Sequence, residues 1–467
     1  MTTPTQHVSD LIHQAAVAVE AAIPSAERDP QRPVFHFRPP AQWMNDPNGT
    51  IFHQGYYHLF YQYNPYAATW GRLHWGHARS RDLVSWEHLP IALCPSHERK
   101  EEHCFSGCAY LDDQAGPLLF YTSIGHALPE QWAAVGDADL IAWNKHAANP
   151  ILTMAAHQGV EVQEWRDPFI FQAAGRTFMV LGGKIAADAV ALIYEKGADA
   201  LTWTYQGILF RHPDASLRSL ECPNFFRLQD RWALLDSPYG PVEYFVGTFD
   251  LDTLTFTPET QGKVDWSSQF YATNLWRDEQ GQTIMAGWIR GFEQPQGWNG
   301  CLSLPRVLSI GDDGRLRQQP VPELRKLRGR HAQIAPCELC HASQCLPDVN
   351  VAQCEILAQF ELQGARECGL KIDLQPDHRS GLVIRYDGAM LRIGESHIPL
   401  SLMEKTHLLT LRIFIDRSVL EVFVNDGQWC FTQVIAAPIT GRGVDVFAQD
   451  GPAALKQCEI WEMQAIW

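Results

Sequence analysis

The sequence predicts an all-β protein: a β-propeller followed by a β-sandwich, with a short helix at the start. Three observations carry this expectation. A repeat of roughly 50 to 60 residues runs through the first two thirds of the chain, the size of a propeller blade. Inside each copy lie short runs rich in aromatic and β-branched residues, such as HQGYYHLFYQY, GPLLFYTSI, GRTFMVLGGK and DRWALLDSPY, bounded by Gly, Asp, Asn and Pro. Past about residue 340 the repeat gives way to closely spaced strand signals without helices.

Residues 1–30 come first. Val8, Leu11, Ile12, Ala15, Ala16, Val19 and Ile23 fall at helical spacing, which predicts an amphipathic helix packed on the main body. No basic segment precedes an apolar core, and the first charged residue is Asp10, so no signal peptide is expected and the protein is placed in the cytoplasm. The twelve cysteines then read as reduced thiols, with Cys94, Cys108 and Cys301 as small core residues.

Residues 31–330 hold the repeat, expected as the catalytic propeller. Asp46, Ser106, Asp167, Glu221 and Tyr271 each precede a short apolar run, at steps of 60, 61, 54 and 50 residues. A second marker keeps phase with the first: Asp82, Asp139, Asp199 and Asp252 each stand four residues before Trp86, Trp143, Trp203 or Phe256. In a propeller the first strand of each blade lines the axis, so residues opening those strands face one mouth. Asp46, Asp167 and Glu221 therefore converge on one funnel. Taken singly, an acid before Pro reads as a turn residue or cap; three in register point to a site. His74 and His77, in LHWGHARS, read as packed or substrate-facing histidines, with zinc ligation as the alternative.

Residues 331–467 are expected to form the sandwich. Ala358 to Leu362, Gly369 to Leu374, Gly381 to Tyr386, Leu408 to Ile415, Val419 to Asn425 and Cys430 to Ile435 read as strands, and Asp426-Gly427 as a hairpin turn. Asp416 and Glu421 alternate with apolar residues and are expected to face solvent. Cys337-Glu338-Leu339-Cys340-His341 matches a haem-attachment pattern, and Cys345 and Cys354 lie near enough for zinc. An ordinary interdomain segment is the reading adopted. The domain is assigned to structural support, with sugar binding as the other option.

Composition narrows the function. A chain of 467 residues supports two or three domains with their own cores. A formal charge of -16 argues against nucleic acid or an anionic membrane as partner, since polyanions require a cationic surface. No apolar run of 18 residues is present to span a membrane.

Taken together, WMNDPNG (43–49), FSG (105–107), RDP (166–168) and ECP (221–223) resemble the motifs of glycoside hydrolase family 32, the invertase and β-fructosidase family, and stand in the same order. LFYQYNP, HWGHARSRDLVSWEHLPIAL, LSLPR and RIFIDRSVLEVFVN extend the resemblance from about Phe35 to Trp467. It implies a five-bladed propeller followed by a β-sandwich, and a retaining β-fructofuranosidase acting on a small sugar such as sucrose, with no metal or organic cofactor. It also implies roles. Asp46 becomes the nucleophile and Glu221 the acid/base, which needs a proton near neutral pH that neighbouring Asp46 and Asp167 would help it keep. Asp167 becomes the transition-state stabiliser. Asn45, Gln62, Trp70, Phe105, Ser106, Tyr271 and Trp288 form the fructose pocket, and Arg166 joins these substrate-binding residues, either keeping the acids ionised or bracing its strand through a salt bridge.

Two departures stand out. Thr273-Asn274 replaces the family's Pro-Gln, and Ser219-Leu220 precedes Glu221 where an aromatic is common. Both are expected to bear on the leaving-group side, and so on the choice among sucrose, sucrose 6-phosphate, raffinose and fructans. A fructosyltransferase or exo-fructanase using the same site is the alternative function, and a non-catalytic sugar sensor is a third.

Overall fold

The computed structural model describes residues 4–293, 295–340, 343–373, 382–400, 408–435 and 441–467, with side chains from Ser9 onward. The helix Pro4–Arg28 opens the chain. Ala15, Val19 and Ala26 are buried and Leu11, Ile12 and Ile23 half-buried, as helical spacing requires. Ala16 is exposed, and the side chain of Val8 lies outside the described residues.

The chain divides into two compact units, Met1–Asp29 with Phe37–Val321, and Pro30–His36 with Pro322–Trp467. The first unit contains five sheets, each built mainly from strands consecutive in sequence. Their first strands are Gln42–His53, His103–Asp112, Gln163–Ala173, Glu221–Leu228 and Phe270–Arg277. Each first strand touches the first strand of the next sheet, and the fifth touches the first, so the five close a ring. Trp298 and Asn299, from late in the unit, pair in parallel with Gln42 and Trp43 and so add a strand to the earliest sheet. Apolar clusters fill the spaces between successive sheets. One joins Tyr121 and Trp132 to Phe60 and Trp75, and another joins Phe225 and Leu234 to Phe178 and Phe210.

The outer strands explain the second sequence marker. They begin at Trp86, Trp143, Trp203 and Thr255, next to Phe256. In three sheets the indole N–H donates to the carbonyl three residues earlier, Leu83, Leu140 or Ala200, at 2.8 to 3.1 Å. The turn before each strand is held by an Asp accepting backbone N–H bonds: Asp82, Asp137, Asp199 and Asp250. In the second and fourth copies the capping acid is thus Asp137 or Asp250, two residues ahead of the marker acids Asp139 and Asp252.

The second unit has two antiparallel sheets. One orders its strands Arg328–Gln333, Pro452–Met463, Gln353–Leu362, Leu408–Asp416, Val419–Val424, Trp429–Val434, and the other Ser343–Asn350, Arg442–Gln449, Glu367–Ile372, Leu382–Tyr386, Met390–Ile393, Ser396–Pro399. The six expected strand segments coincide with strands of these sheets, three of them overrunning at Asp373, Asn425 and Ile435; Leu374 and Gly381 lie outside the described residues. Asp416 and Glu421 do not face solvent. Both are fully buried and hold the segment Pro30–His36. Asp416 accepts from the backbone N–H of Val34, Phe35 and His36 at 2.8, 2.8 and 3.0 Å, and His36 bridges Asp416 and Glu421 at 2.8 and 3.0 Å. Burial opposes a charge on His36, but the two carboxylates outweigh it and raise its pKa to about 9. Alternation misled here because both faces of the strand pair are covered.

Cys337–Cys340 is an ordinary strand paired with Pro452–Met463; His341 lies outside the described residues. Cys345 is exposed and Cys354 buried, and none of the twelve cysteines is in a disulfide. Among the described residues no group of His, Cys, Asp or Glu is arranged to hold a metal ion.

Candidate active site

Every first strand breaks register with its neighbour near its start. The shifts fall between Met44 and Pro47, Cys104 and Gly107, Glu221 and Asn224, and Tyr271 and Asn274, and in the third sheet opposite Val180 and Gly182, between Phe169 and Arg166. A bulge releases residues from the ladder and re-aims their side chains. Asn45-Asp46 and Phe105-Ser106 occupy two of these breaks. In the last three sheets Asp167, Cys222 and Ala272 begin the break with left-handed φ of 64°, 48° and 49°. That equivalence corrects the repeat: Glu221 and Tyr271 match Arg166, and Cys222 matches Asp167. The spacing concealed a one-residue offset.

The offset separates two layers of contacts. In the deeper layer Asp46 and Asp167 share a neighbour, Cys222, whose Sγ lies 3.5 Å from Asp46 Oδ2 and 3.7 Å from Asp167 Oδ2. Ser106 Oγ donates to Asp46 Oδ2 at 2.5 Å, and Asn45 Nδ2 to Asp46 Oδ1 at 3.1 Å and to Gln62 Oε1 at 2.7 Å. The Cys222 N–H donates to Asp167 Oδ2 at 3.0 Å. In the outer layer Glu221 stands between two donors. Arg166 reaches its Oε1 through Nε at 3.1 Å and Nη2 at 2.6 Å, and the Tyr271 hydroxyl lies 2.6 Å from Oε2. Arg166 also pairs with Glu164 and bonds the Tyr239 hydroxyl, while the Tyr239 N–H donates to the Tyr271 hydroxyl at 3.0 Å.

Burial shapes the charges. It raises the carboxyl of Asp46; the Ser106 bond opposes this and the charge of Glu221 adds to it. It pushes Asp167 up to about 7, with Arg166 opposing and Glu221 and Asp46 adding. The Cys222 thiol is raised well above its usual range by burial and then by Asp167 and Asp46, so it stays protonated and acts as a weak donor. Glu221 keeps more contact with solvent than Asp167: its side chain is 19% exposed, against 6%.

The remaining expected site residues distribute around these layers. Asn45, Gln62 and Ser106 form one hydrogen-bonded cluster on Asp46. Trp70 is 53% exposed and meets Phe105 edge to face at 6.4 Å. Trp288 packs edge to face on Trp43 at 5.7 Å, and the Trp43 indole donates to Asn45 Oδ1 at 2.9 Å. His74 and His77 are buried, and burial lowers both below the usual histidine range; His77 stacks on Phe60 at 4.0 Å. Thr273 and Asn274 are buried and turned into the ring. Thr273 bonds Asn224, and Asn274 donates to the carbonyls of Pro47 and Gly107, inside the ring. Ser219 and Leu220 are buried as well. Cys222, Trp43, Glu164 and Tyr239 belong to the cluster and were missed; aligning ECP on RDP by the shared Pro would have exposed Cys222.

A cluster of three carboxyl groups, one of them held on the outside by a guanidinium and a phenol, suits two-carboxylate glycoside chemistry. Comparisons with known proteins agree. Residues 36–320 match the model of the glycosyl hydrolases family 32 N-terminal domain, and residues 323–462 that of the family 32 C-terminal domain. The chain is 32% identical to a sucrose-6-phosphate hydrolase of Escherichia coli over 92% of its own length and 94% of the relative's, and 31% identical to an Escherichia coli raffinose invertase over the same shares. Among solved structures it superposes on fructan 1-exohydrolase IIa from Cichorium intybus with TM-score 0.84 at 26% identity, covering 93% of this chain and 98% of that one. Sucrose-6-phosphate hydrolase from Lactobacillus gasseri gives 0.83 at 26%, covering 97% of each. By both its sequence and its fold, the chain belongs to the glycosyl hydrolases family 32.

Proposed function

We propose that the protein is a retaining β-fructofuranosidase that hydrolyses terminal, non-reducing β-D-fructofuranosides such as sucrose through a covalent fructosyl-enzyme. The supporting observation is the division of three acids into a deep pair sharing Cys222 and an outer acid held by Arg166 and Tyr271. Asp46 attacks the anomeric carbon as Glu221 gives its proton to the departing oxygen. Glu221, now a carboxylate, takes a proton from the water that releases fructose and is restored as an acid. Asp167 stabilises the positive charge that develops on the furanose ring. Asn45, Gln62 and Ser106 hold Asp46 in place, while Phe105, Trp70 and Trp288 supply apolar faces for the sugar's C–H surfaces.

The same reading takes residues 31–330 as a five-bladed propeller, on the strength of five sheets whose first strands meet in a ring, residues 331–467 as a β-sandwich, and residues 1–30 as a helical extension. It includes a cytoplasmic setting and an imported, short fructoside, which twelve cysteines outside any disulfide support. Among the described residues no helix is long and apolar enough to cross a membrane.

Fructose release from sucrose, sucrose 6-phosphate, raffinose, inulin and levan tests the proposal, using wild type, Asp46→Ala and Glu221→Gln. Release from sucrose or its 6-phosphate is expected, with both variants reduced by several orders of magnitude. Full activity in Asp46→Ala overturns the nucleophile, and no release from any of the five substrates overturns the function.

A further inference from the structure

The five first strands begin at the acid cluster, and their later residues line a second cavity of about 290 Å³. It opens at the other end of the ring. Thr50 and Asn274, both buried, lie at its inner end. The half-buried Phe52 and Tyr110 contribute aromatic walls, and the exposed Arg227 and Arg277 line its outer part. Asn274 separates this space from the catalytic end, because its amide bonds the carbonyls of Pro47 and Gly107, next to Asp46 and Ser106.

The charge of this cavity is out of character for the molecule. The chain carries 53 acidic and 37 basic residues, yet no Asp or Glu lines the cavity and two Arg do. Arg277 Nη2 donates to the Arg227 backbone carbonyl at 3.0 Å, and Arg227 Nε donates to the Gln229 carbonyl at 3.3 Å. Neither guanidinium has a carboxylate partner among the described residues. Two guanidinium groups bearing on one cavity match the oxygens of a phosphate, and apolar aromatic walls match a flat ring.

We propose that this axial cavity is a binding site for a small aryl phosphate, with its ring against Phe52 and Tyr110 and its phosphate on Arg227 and Arg277. The volume suits a ligand of one ring and one phosphate group.

Titration calorimetry of the full chain with phenyl phosphate tests it, with inorganic phosphate as the ringless control. Phenyl phosphate is expected to bind at least tenfold more tightly than inorganic phosphate, and the Arg227→Ala/Arg277→Ala variant to weaken it at least tenfold. Binding is also expected to survive saturation of the catalytic end with fructose. Sucrose hydrolysis by the variant confirms that it is folded, and the milder Arg277→Gln replaces it if it is not. Absence of binding, equal binding of the two phosphates, unchanged binding by the Arg variant, or displacement by fructose would each overturn the site.

Discussion

Ser106 and Tyr271 each serve a different acid, and their loss should read out differently. The Ser106 hydroxyl favours the ionised form of Asp46 against burial, so Ser106→Ala raises the Asp46 pKa further. The acid limb of kcat/KM is expected to move to higher pH in that variant. Tyr271→Phe removes a bond to Glu221 Oε2 but leaves Asp46 untouched. A hydrogen bond to a charged group is worth about 1.5 to 3 kcal/mol, so kcat should fall roughly 10- to 100-fold with the acid limb in place. A pH profile of kcat/KM for both variants separates the two effects. At this scale the sequence was informative about acids and poor about their supports. Asp46, Asp167 and Glu221 stand in short motifs, whereas Tyr239 reaches Arg166 only because a left-handed residue in Ser-Pro-Tyr-Gly turns it there.

The bulged first strand is the element that makes the site, and it depends on close backbone approach. Gly182 pairs with Arg166, and a Cβ on it would stand 2.1 Å from the carbonyl oxygen of Leu220, the residue before Glu221. Gly182→Ala is therefore expected to displace Glu221, lowering kcat at least tenfold and stability by about 1 to 3 kcal/mol, as read by rates and urea unfolding. Strands of this kind were legible as apolar runs, and their number as a repeat. Their phase was not, because a bulge adds residues without leaving a mark in hydrophobic alternation. Glu221 was thereby aligned with Asp167 when Cys222 is its true counterpart. Asp416 and Glu421 show the same weakness: alternation identifies a strand but does not tell which face is wet.

At the scale of the molecule, His36 ties stability to pH. Its pKa is near 9 when folded and about 6.5 when unfolded, so its contribution is complete below about 6.5 and is lost as pH rises through 9. The shift corresponds to about 3 kcal/mol. The melting temperature of wild type is expected to fall across that range, and His36→Gln to be less stable at neutral pH with a flatter profile; parallel profiles would disprove the linkage.

The location of His36 in the chain has a kinetic consequence. Its carboxylate partner lies 380 residues downstream, so a ribosome adding about 5 to 20 residues per second leaves the imidazole unpaired for roughly 20 to 80 seconds. Residues on both sides of Pro30–His36 belong to the other unit, and they can fold during that interval while this segment waits. The second unit is thus completed only after the strand carrying Asp416 has been made, from a segment synthesised 380 residues before it.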